Sequence, residues 1–421
     1  MHKLIRQLYP LCRSITGEGL RGTLKEIQNH IPLTLHEVPT GTRVLDWEVP
    51  KEWNIHAARI ETLNGEIVVD FADCNLHVVG YSNPIDRIVT RDELSAHVHT
   101  IPDQPELVPY RTGYYAENWG FCLAHKVWDG MQDWSYRVYI DSNLTQGSLT
   151  YGELVVPGQS PEEALISVHC CHPSLANDNL SGIAVATEFA RYILGRANRL
   201  TYRILFIPAT IGSITWLARN EAVIPRIAHG LVLSCVGDTG TYHYKRSRRG
   251  DTVIDRTVAH ILANRNSPHE IMPFSPYGYD ERQYCSPGYD LPVGCFMRSP
   301  NGTFQEYHTS ADNLDFVKPD ALGDSFSVLV DIFNLLEQNV VYLRTDGRGE
   351  PQLGRRGLYR AISGQKDHAA VQMALLWVLN LADGRYSLLD MAERSGLAFE
   401  QLAAAANLAS QAGLLRRAEP R

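Results

Sequence analysis

The chain has 421 residues, of which 44% are hydrophobic, and this length fits two or three domains with well-buried cores. Its 39 Lys and Arg against 47 Asp and Glu give a net charge of −8, which argues against a broad electrostatic surface for nucleic acid or anionic membranes. No apolar run reaches the roughly 18 residues of a membrane-spanning helix, and eight scattered cysteines form no disulfide framework, so we expect a cytoplasmic protein.

The first part of the chain predicts helices and then a β-rich segment. Residues 1–45 are expected to contain one or two helices, because the apolar residues of LRGTLKEIQNHI recur at helical spacing. Residues 46–150 contain stretches that alternate apolar and polar side chains, and they are dense in aromatic residues. This segment is predicted to be a small β-rich subdomain.

The second part predicts an α/β domain followed by a helical module. Short apolar strands alternate with amphipathic helices over residues 151–345, which favours a mostly parallel sheet covered by helices on both faces. Residues 346–357 are typical of a linker. Three short helices are predicted beyond it, and we interpret residues 355–421 as a winged-helix module.

Three glycines near the N-terminus imitate a nucleotide-binding motif. Gly17, Gly19 and Gly22 spell G-x-G-x-x-G, but the dinucleotide fingerprint needs a strand directly before it, and LIRQLYPLCRS is not one. We therefore expect a turn that begins the next helix. The sequence contains neither a G-x-S-x-G elbow nor a phosphate-binding P-loop.

The segment HCCHPSLANDNLSG at 169–182 concentrates metal-binding side chains. It follows a buried strand, at the edge where open α/β sheets bind their ligands. His172 and Asp178 are close enough in sequence to bind one ion, and His308, in a later polar loop, is the candidate third ligand of a zinc site. Taken singly, each histidine is better explained as an ordinary residue, His172 capping the turn and His308 lying in a loop; together they favour a metal.

Other residues of these segments leave alternatives open. Cys170 and Cys171 point to opposite sides of an extended strand, so we expect buried packing thiols. His169 is either a ligand or a residue that orients the loop. Arg282 and Arg298 flank a predicted strand, and they either form surface salt bridges or hold a substrate carboxylate.

Four ordered motifs carry a resemblance to a known family: HCCHPSLANDNLSG, FIPATIGSITWL, DERQYCSPG and EYHTSADNLD. The chain resembles the uncharacterised bacterial aminopeptidase-like family over nearly its whole length. The resemblance implies an α/β zinc-exopeptidase-like core with a mixed, mostly parallel sheet, a β-rich inserted subdomain and a C-terminal winged helix. Residues 1–45 and 151–345 would form the discontinuous core, and 46–150 the insertion.

The resemblance also implies site residues. One zinc per chain would be bound by His172, Asp178 and His308. The position of the expected glutamate base is occupied by Ala209, and the neighbouring metal-binding acid is replaced by Thr210.

A third expected carboxylate is replaced by Cys235, which favours one zinc over two. Since an alanine cannot accept a proton, Glu281 and Glu306 are the candidate replacements for the base. Substrate contacts are expected from Thr210, Arg282, Tyr284 and Arg298.

Two functions follow as hypotheses. The first is a zinc-dependent amide hydrolase of aminopeptidase type that acts on a small peptide or aminoacyl conjugate beneath Tyr114, Tyr115 and Trp119. The second is a zinc-containing binding or accessory protein of a biosynthetic pathway, favoured by Ala209. DNA binding is not expected, because the recognition segment AFEQLAAAANLASQAG has no Lys or Arg. The sequence leaves open whether the protein forms a homo-oligomer.

Overall fold

The computed structural model describes residues 1–265, 267–358 and 368–418. The chain divides into two compact units, Met1–Leu329 and Val330–Arg421.

The strands of the described residues are, in chain order, β1 Thr34–Pro39, β2 Arg43–Val44, β3 Trp47–Glu48, β4 Glu52–Thr62, β5 Ile67–Asp70, β6 Ile85–Thr90, β7 Val98–His99, β8 Phe121–Cys122, β9 Ser135–Thr145, β10 Ser148–Val156, β11 Glu163–His169, β12 Thr201–Ile207, β13 Ile227–Leu233, β14 Tyr242–Lys245, β15 His269–Met272, β16 Val293–Met297, β17 Val341–Arg344, β18 Asp383–Ser387 and β19 Leu415–Arg417. The α-helices in the same ranges are α1 His2–Leu8, α2 Glu18–Gln28, α3 Arg91–Ser95, α4 His125–Gly130, α5 Gly182–Leu194, α6 Ile211–Arg219, α7 Val253–Asn264, α8 Glu281–Tyr284, α9 Pro319–Gln338, α10 His368–Leu381, α11 Leu388–Ser395 and α12 Phe399–Gln411.

The larger unit is built on an eight-stranded sheet in the order β1-β10-β12-β11-β13-β16-β14-β15. Its central strands β12, β11, β13 and β16 are parallel, while β1, β10 and β14 add antiparallel pairs. Every residue of β11 is buried, as expected for a parallel strand covered on both faces. The predicted α/β fold with a mixed, mostly parallel sheet is confirmed. The carboxyl ends of β11, β12 and β13 meet at one edge of this sheet, which is where the candidate site lies.

The β-rich segment leaves the large sheet and returns to it through paired strands. β1 pairs antiparallel with β10, with Thr34 opposite Glu153 and Pro39 opposite Ser148. Between them, β5, β4, β9 and β6 form an antiparallel four-stranded sheet around a core of its own that includes Ile60. The sequence analysis missed β1, because this edge strand is short and mostly exposed or half-buried.

The three N-terminal glycines begin a helix, as predicted. Gly17 has φ of +94° and directly precedes α2, whose Leu20, Leu24 and Ile27 are buried on one face. A Cβ atom on Gly17 would lie 2.1 Å from the carbonyl oxygen of Trp53, so this turn requires glycine.

The second unit consists of helices and one three-stranded sheet. β17 pairs antiparallel with β18 and β19, and buried side chains such as Leu375, Leu389 and Leu402 come from the helices α10, α11 and α12 among its described residues. Ser387 and Asp390 form a capping box at the start of α11. Residues 359–367 and 419–421 of the predicted winged-helix module lie outside the described residues.

Candidate metal centre and active site

Two imidazoles and a carboxylate meet at the carboxyl end of β11. His169 is the last residue of that strand, His172 follows in the loop, and Asp178 lies in the turn before α5. His169 Nε2 is 2.7 Å from Asp178 Oδ1, and His172 Nε2 is 3.9 Å from Asp178 Oδ2. All three residues are buried, and their ligand atoms lie within 4.8 Å of one another, so they form a possible metal site.

His308 reaches the same carboxylate from a distant loop. Its Nε2 atom lies 3.0 Å from Asp178 Oδ2, although 130 positions separate the two residues. The backbone of His308 has φ of +55°, a conformation that residues other than glycine rarely adopt. Its carbonyl oxygen accepts a hydrogen bond from the N–H of Tyr110 at 2.7 Å. These contacts hold the imidazole, which remains 32% exposed, towards the cavity above Asp178.

The loop that carries His172 and Asp178 is held by two buried polar side chains, those of Asp312 and Arg13. Asp312 accepts the backbone N–H groups of Asn177 at 2.6 Å and Asp178 at 2.9 Å. Burial raises the pKa of Asp312 to about 8. Arg13 donates to the carbonyl oxygen of His172 at 2.7 Å. Both residues therefore fix the backbone from which the candidate ligands project.

Hydrogen bonds assign the protons of His169. The amide of Asn179 is oriented because its Oδ1 accepts from the N–H of Gly182 and its Nδ2 donates to the carbonyl oxygen of Leu233. The same Nδ2 lies 3.3 Å from Nδ1 of His169. Since Nδ1 accepts there, the proton of a neutral ring is on Nε2, which donates to Asp178.

The electrostatics suit a metal ligand set. Burial lowers the pKa of His172 well below its ordinary value, so this imidazole is neutral and has a lone pair to offer. Burial raises the pKa of Asp178, but the surrounding imidazoles outweigh it, and the pKa lies well below the usual range. A charged carboxylate thus sits among imidazoles in a dry environment.

A phenol completes the group around Asp178. Tyr279 donates to Asp178 Oδ2 at 2.8 Å, and its oxygen lies 2.6 Å from that of Tyr307 and 3.4 Å from His308 Nε2. Burial, followed by the charge of Asp178, raises the pKa of Tyr279 well above its ordinary value, so the phenol keeps its proton. The sequence analysis missed Tyr279, because no local pattern distinguishes it from neighbouring Tyr277.

These groups form the floor of a cavity of about 360 Å³. The described residues make its walls largely apolar and aromatic, and one arginine among them carries a permanent charge. The lining residues are Ile15, Trp47, Tyr110, Thr112, Tyr114, Tyr115, Cys171, His172, Ala209, Thr210, Ile211, Ile214, Gly278, Tyr279, Arg282 and His308. The cavity has the size and polarity of a small-molecule site.

Several residues singled out from the sequence meet at this cavity. Ala209 and Thr210 follow β12 and directly precede α6, at the same sheet edge as the histidines. Arg282 reaches the same cavity from helix α8, which follows much later in the chain. The predicted residues that line the cavity are His172, Ala209, Thr210, Arg282 and His308, with Asp178 buried beneath.

Neither candidate replacement for the base lines the cavity. Glu281 is 1% exposed, forms an ion pair with Lys245 and accepts the backbone N–H of Tyr279. Glu306 lies in the loop before His308 and is not among the lining residues. The expectation that either carboxylate lines the cavity is therefore not supported: Glu281 is buried in its ion pair with Lys245, and the half-buried Glu306 is absent from the walls.

Two predicted substrate contacts are also placed elsewhere. Tyr284 is fully buried in the core, where its hydroxyl lies 2.9 Å from that of Ser167. It is three positions after Glu281 on α8 and so shares that inward face. Arg298 pairs with Asp324 at 3.3 Å, which fits the salt-bridge alternative.

Of the three aromatic residues that were predicted to cover the substrate, only two line the cavity. Tyr114 and Tyr115 line the cavity, but Trp119 stacks on His97 with ring centroids 3.8 Å apart. Trp47 and Tyr110 take part instead. Both were missed, because their approach to the cavity depends on how the β-rich segment folds back onto the sheet.

The three thiols near the site are buried. Cys170, Cys171 and Cys235 are each at most 2% exposed. Burial raises the pKa of Cys171 to about 12, and its thiol donates to the carbonyl oxygen of Ala209 at 3.7 Å. These are the features of packing thiols rather than of reactive ones.

The chain matches known sequence families over most of its length. Residues 2–339 match the family described as Domain of unknown function (DUF4910). The chain belongs to the DUF4910 family. In this DUF4910 protein, residues 340–417 match the winged helix-turn-helix family, so the predicted winged helix is confirmed.

Relatives of this DUF4910 protein have aminopeptidase-like names. A Clostridium acetobutylicum protein named for polysaccharide biosynthesis with an aminopeptidase-like domain is 48% identical over 99% of this chain and 96% of its own. The crystal structure of a “putative peptidase” from the same species has a TM-score of 0.93 at 46% identity, covering 99% of this chain and 96% of its own.

A more distant structural relative shows the fold. The zinc aminopeptidase of Bacillus subtilis has a TM-score of 0.57 at 11% identity, covering 79% of this chain and 93% of its own. The aminopeptidase-like core predicted for this DUF4910 protein is therefore confirmed. Within the described residues, no helix is both long and apolar enough to cross a membrane.

Proposed function

We propose that this protein is a zinc-dependent amide hydrolase of aminopeptidase type whose expected base position is occupied by Ala209. The observation that carries the proposal is the cluster of imidazoles around the charged carboxylate of Asp178, which is buried directly beneath the cavity. Such a donor set matches the two imidazoles and one carboxylate of many catalytic zinc sites. Its position at the carboxyl edge of the sheet, where α/β enzymes bind substrates, supports the same conclusion.

The proposed ligands of one zinc are His172, Asp178 and His308. His169 is a positioning residue in this proposal, because its Nε2 donates to Asp178 Oδ1 and its Nδ1 is engaged by Asn179. Zinc in such a site supplies Lewis-acid chemistry that polarises a carbonyl oxygen and activates water.

The remaining residues would bind and orient an amide substrate. Thr210 and Arg282 offer polar contacts on the walls, and Tyr114 and Tyr115 exclude water from the site. Tyr279 keeps its proton and donates it to Asp178 Oδ2, so in this proposal it orients a ligand of the zinc. Ala209 offers no proton acceptor, so the chain as it stands would cleave amides slowly.

Restoring a carboxylate at position 209 tests the proposal. Ala209→Glu should increase the rate of amide cleavage about 100- to 10,000-fold, the usual contribution of a general base. Ala209→Gln is the matched control, because glutamine has nearly the same shape as glutamate but does not accept a proton at neutral pH. We would measure release of the amine from a panel of peptides and aminoacyl conjugates; equal rates for both variants would contradict the proposal.

A second candidate is a zinc-containing binding or accessory protein that does not hydrolyse its ligand. It is favoured by the finding that, in the part of the chain that the structure describes, no Asp or Glu lines the cavity. The name of the Clostridium acetobutylicum relative suggests polysaccharide biosynthesis as its setting. The eight cysteines are free thiols, which suits the cytoplasmic location that we propose in either case.

A further inference from the structure

The charge of the cavity points to the kind of substrate it takes. Among the described residues, Arg282 is the only wall residue with a permanent charge, and it is exposed to the cavity mouth. The carboxylate of Asp178 lies beneath the walls and is fully buried. Its Oδ1 is occupied by His169, and its Oδ2 by Tyr279 and His308. A ligand in the cavity therefore meets a cation and no available carboxylate.

Arg282 has its guanidinium free for a ligand. It forms no ion pair and no side-chain hydrogen bond with any residue that the structure describes. Its neighbour Glu281 faces the interior and pairs with Lys245. Helix α8 thus directs the carboxylate of Glu281 inward and the guanidinium of Arg282 outward. This separation follows from helical geometry, because consecutive residues on a helix do not share a face.

A free amino terminus fits this cavity poorly. A substrate ammonium group needs a carboxylate or several acceptors to replace its hydration, and like charge from Arg282 opposes its entry. A guanidinium, by contrast, forms paired hydrogen bonds with a carboxylate or a phosphate. The aromatic walls at Trp47, Tyr110 and Tyr114 accept an apolar body of either kind.

We infer that the cavity takes an amide whose amino side is acylated and whose other part carries a carboxylate or phosphate held by Arg282. This inference rests on the proposed hydrolase function and decides which end of a substrate the site recognises: the anionic end rather than the amino terminus. Arg282 is then the residue that determines specificity. The aromatic walls offer the one competing attraction, since ring faces also bind ammonium groups.

Binding of four small probes to the zinc-loaded full-length protein tests the inference. N-acetylphenylalanine carries the carboxylate, N-acetylphenylalaninamide lacks it, phenylalaninamide carries an ammonium instead, and phenyl phosphate presents the second type of anion. Calorimetry should show N-acetylphenylalanine binding about tenfold more tightly than its amide. Arg282→Gln should abolish that difference and Arg282→Lys should retain part of it. Arg355→Gln, which removes the same charge from an exposed site in the second unit, is the control.

The outcomes separate this inference from the proposed function. Arg282-dependent binding of N-acetylphenylalanine alone supports an acylated amino acid or peptide end, and Arg282-dependent binding of phenyl phosphate supports a phosphorylated substrate. Tightest binding of phenylalaninamide, or no effect of Arg282→Gln, overturns the inference. If the Ala209→Glu protein then cleaves amides with a free amino terminus, the hydrolase function stands and only the anionic specificity fails.

Discussion

The phenol of Tyr279 donates to Asp178 Oδ2 at 2.8 Å while its ring stacks on His169, with ring centroids 4.2 Å apart. A single side chain therefore orients the central carboxylate through its hydroxyl and covers a neighbouring imidazole with its ring. The proton that makes this hydrogen bond is retained, because burial raises the pKa of Tyr279 well above its usual value.

Tyr279→Phe should lower the affinity for zinc about ten- to hundredfold, the usual effect of losing a group that orients a ligand. The ring is kept, so the fold should be unchanged. Competition with a chelator measures the affinity. Tyr277→Phe is the matched control, since it removes a phenol hydroxyl from an exposed side chain nearby in the sequence. Wild-type affinity in Tyr279→Phe would show that this hydrogen bond does not orient a ligand.

The ligand assignment predicts the metal content of protein purified without added metal. We expect about one zinc per chain by elemental analysis. His172→Ala and His308→Ala should each lose it, whereas His169→Ala should retain part, because it removes a donor to Asp178 rather than a ligand. His56→Ala, at an exposed position, should retain all. If the wild-type protein contains no metal, the ligand assignment is wrong, and the similarity to zinc aminopeptidases extends to the fold alone.

Asp280 predicts a pH dependence of stability. Its Oδ1 accepts from Ser213 at 2.7 Å, and its Oδ2 has no hydrogen-bond partner among the described residues. Burial raises the pKa of Asp280 from 3.8 to about 6. Between these values the unfolded chain releases a proton that the folded chain keeps. The contribution of Asp280 to the free energy of unfolding is therefore largest below pH 4 and decreases until about pH 6.

Asp280→Asn removes this titration. The free energy of unfolding of the variant, relative to wild type, should thus increase by about 2–3 kcal/mol between pH 4 and pH 7. Urea denaturation at several pH values measures it. Asp103→Asn, at an exposed position, controls for the loss of a charge. A constant difference across this range would show that Asp280 is already ionised in the folded protein.

The second unit predicts little affinity for DNA. Helix α12, which the sequence identifies as the recognition segment, contains Glu400 and no Lys or Arg. Without cations on this helix, few phosphates can be contacted. Filter binding with duplex DNA at about 50 and 200 mM salt should show no salt-sensitive retention. A steep loss of binding with salt would instead identify an electrostatic DNA surface.

The candidate site could be predicted from the sequence only where chemistry is local. His172 and Asp178 share one short loop, and such a density of ligand side chains after a buried strand is informative by itself. Ala209 was found through the likeness of its motif to relatives. Tyr279 and Asp312 were missed, since their contacts with Asp178 and its loop join segments about a hundred or more residues apart.

The sequence by itself determined the alternation of strands and helices and the location of the candidate metal-binding loop, because hydrophobic periodicity and motif spacing are local properties. Only the tertiary structure decided which side chains face the cavity. Within the single turn of α8, Arg282 turns to the cavity while Glu281 and Tyr284 turn to the core. The reason is physical: the direction of a side chain on so short a helix depends on the packing around it, and chain positions far apart in sequence supply that packing.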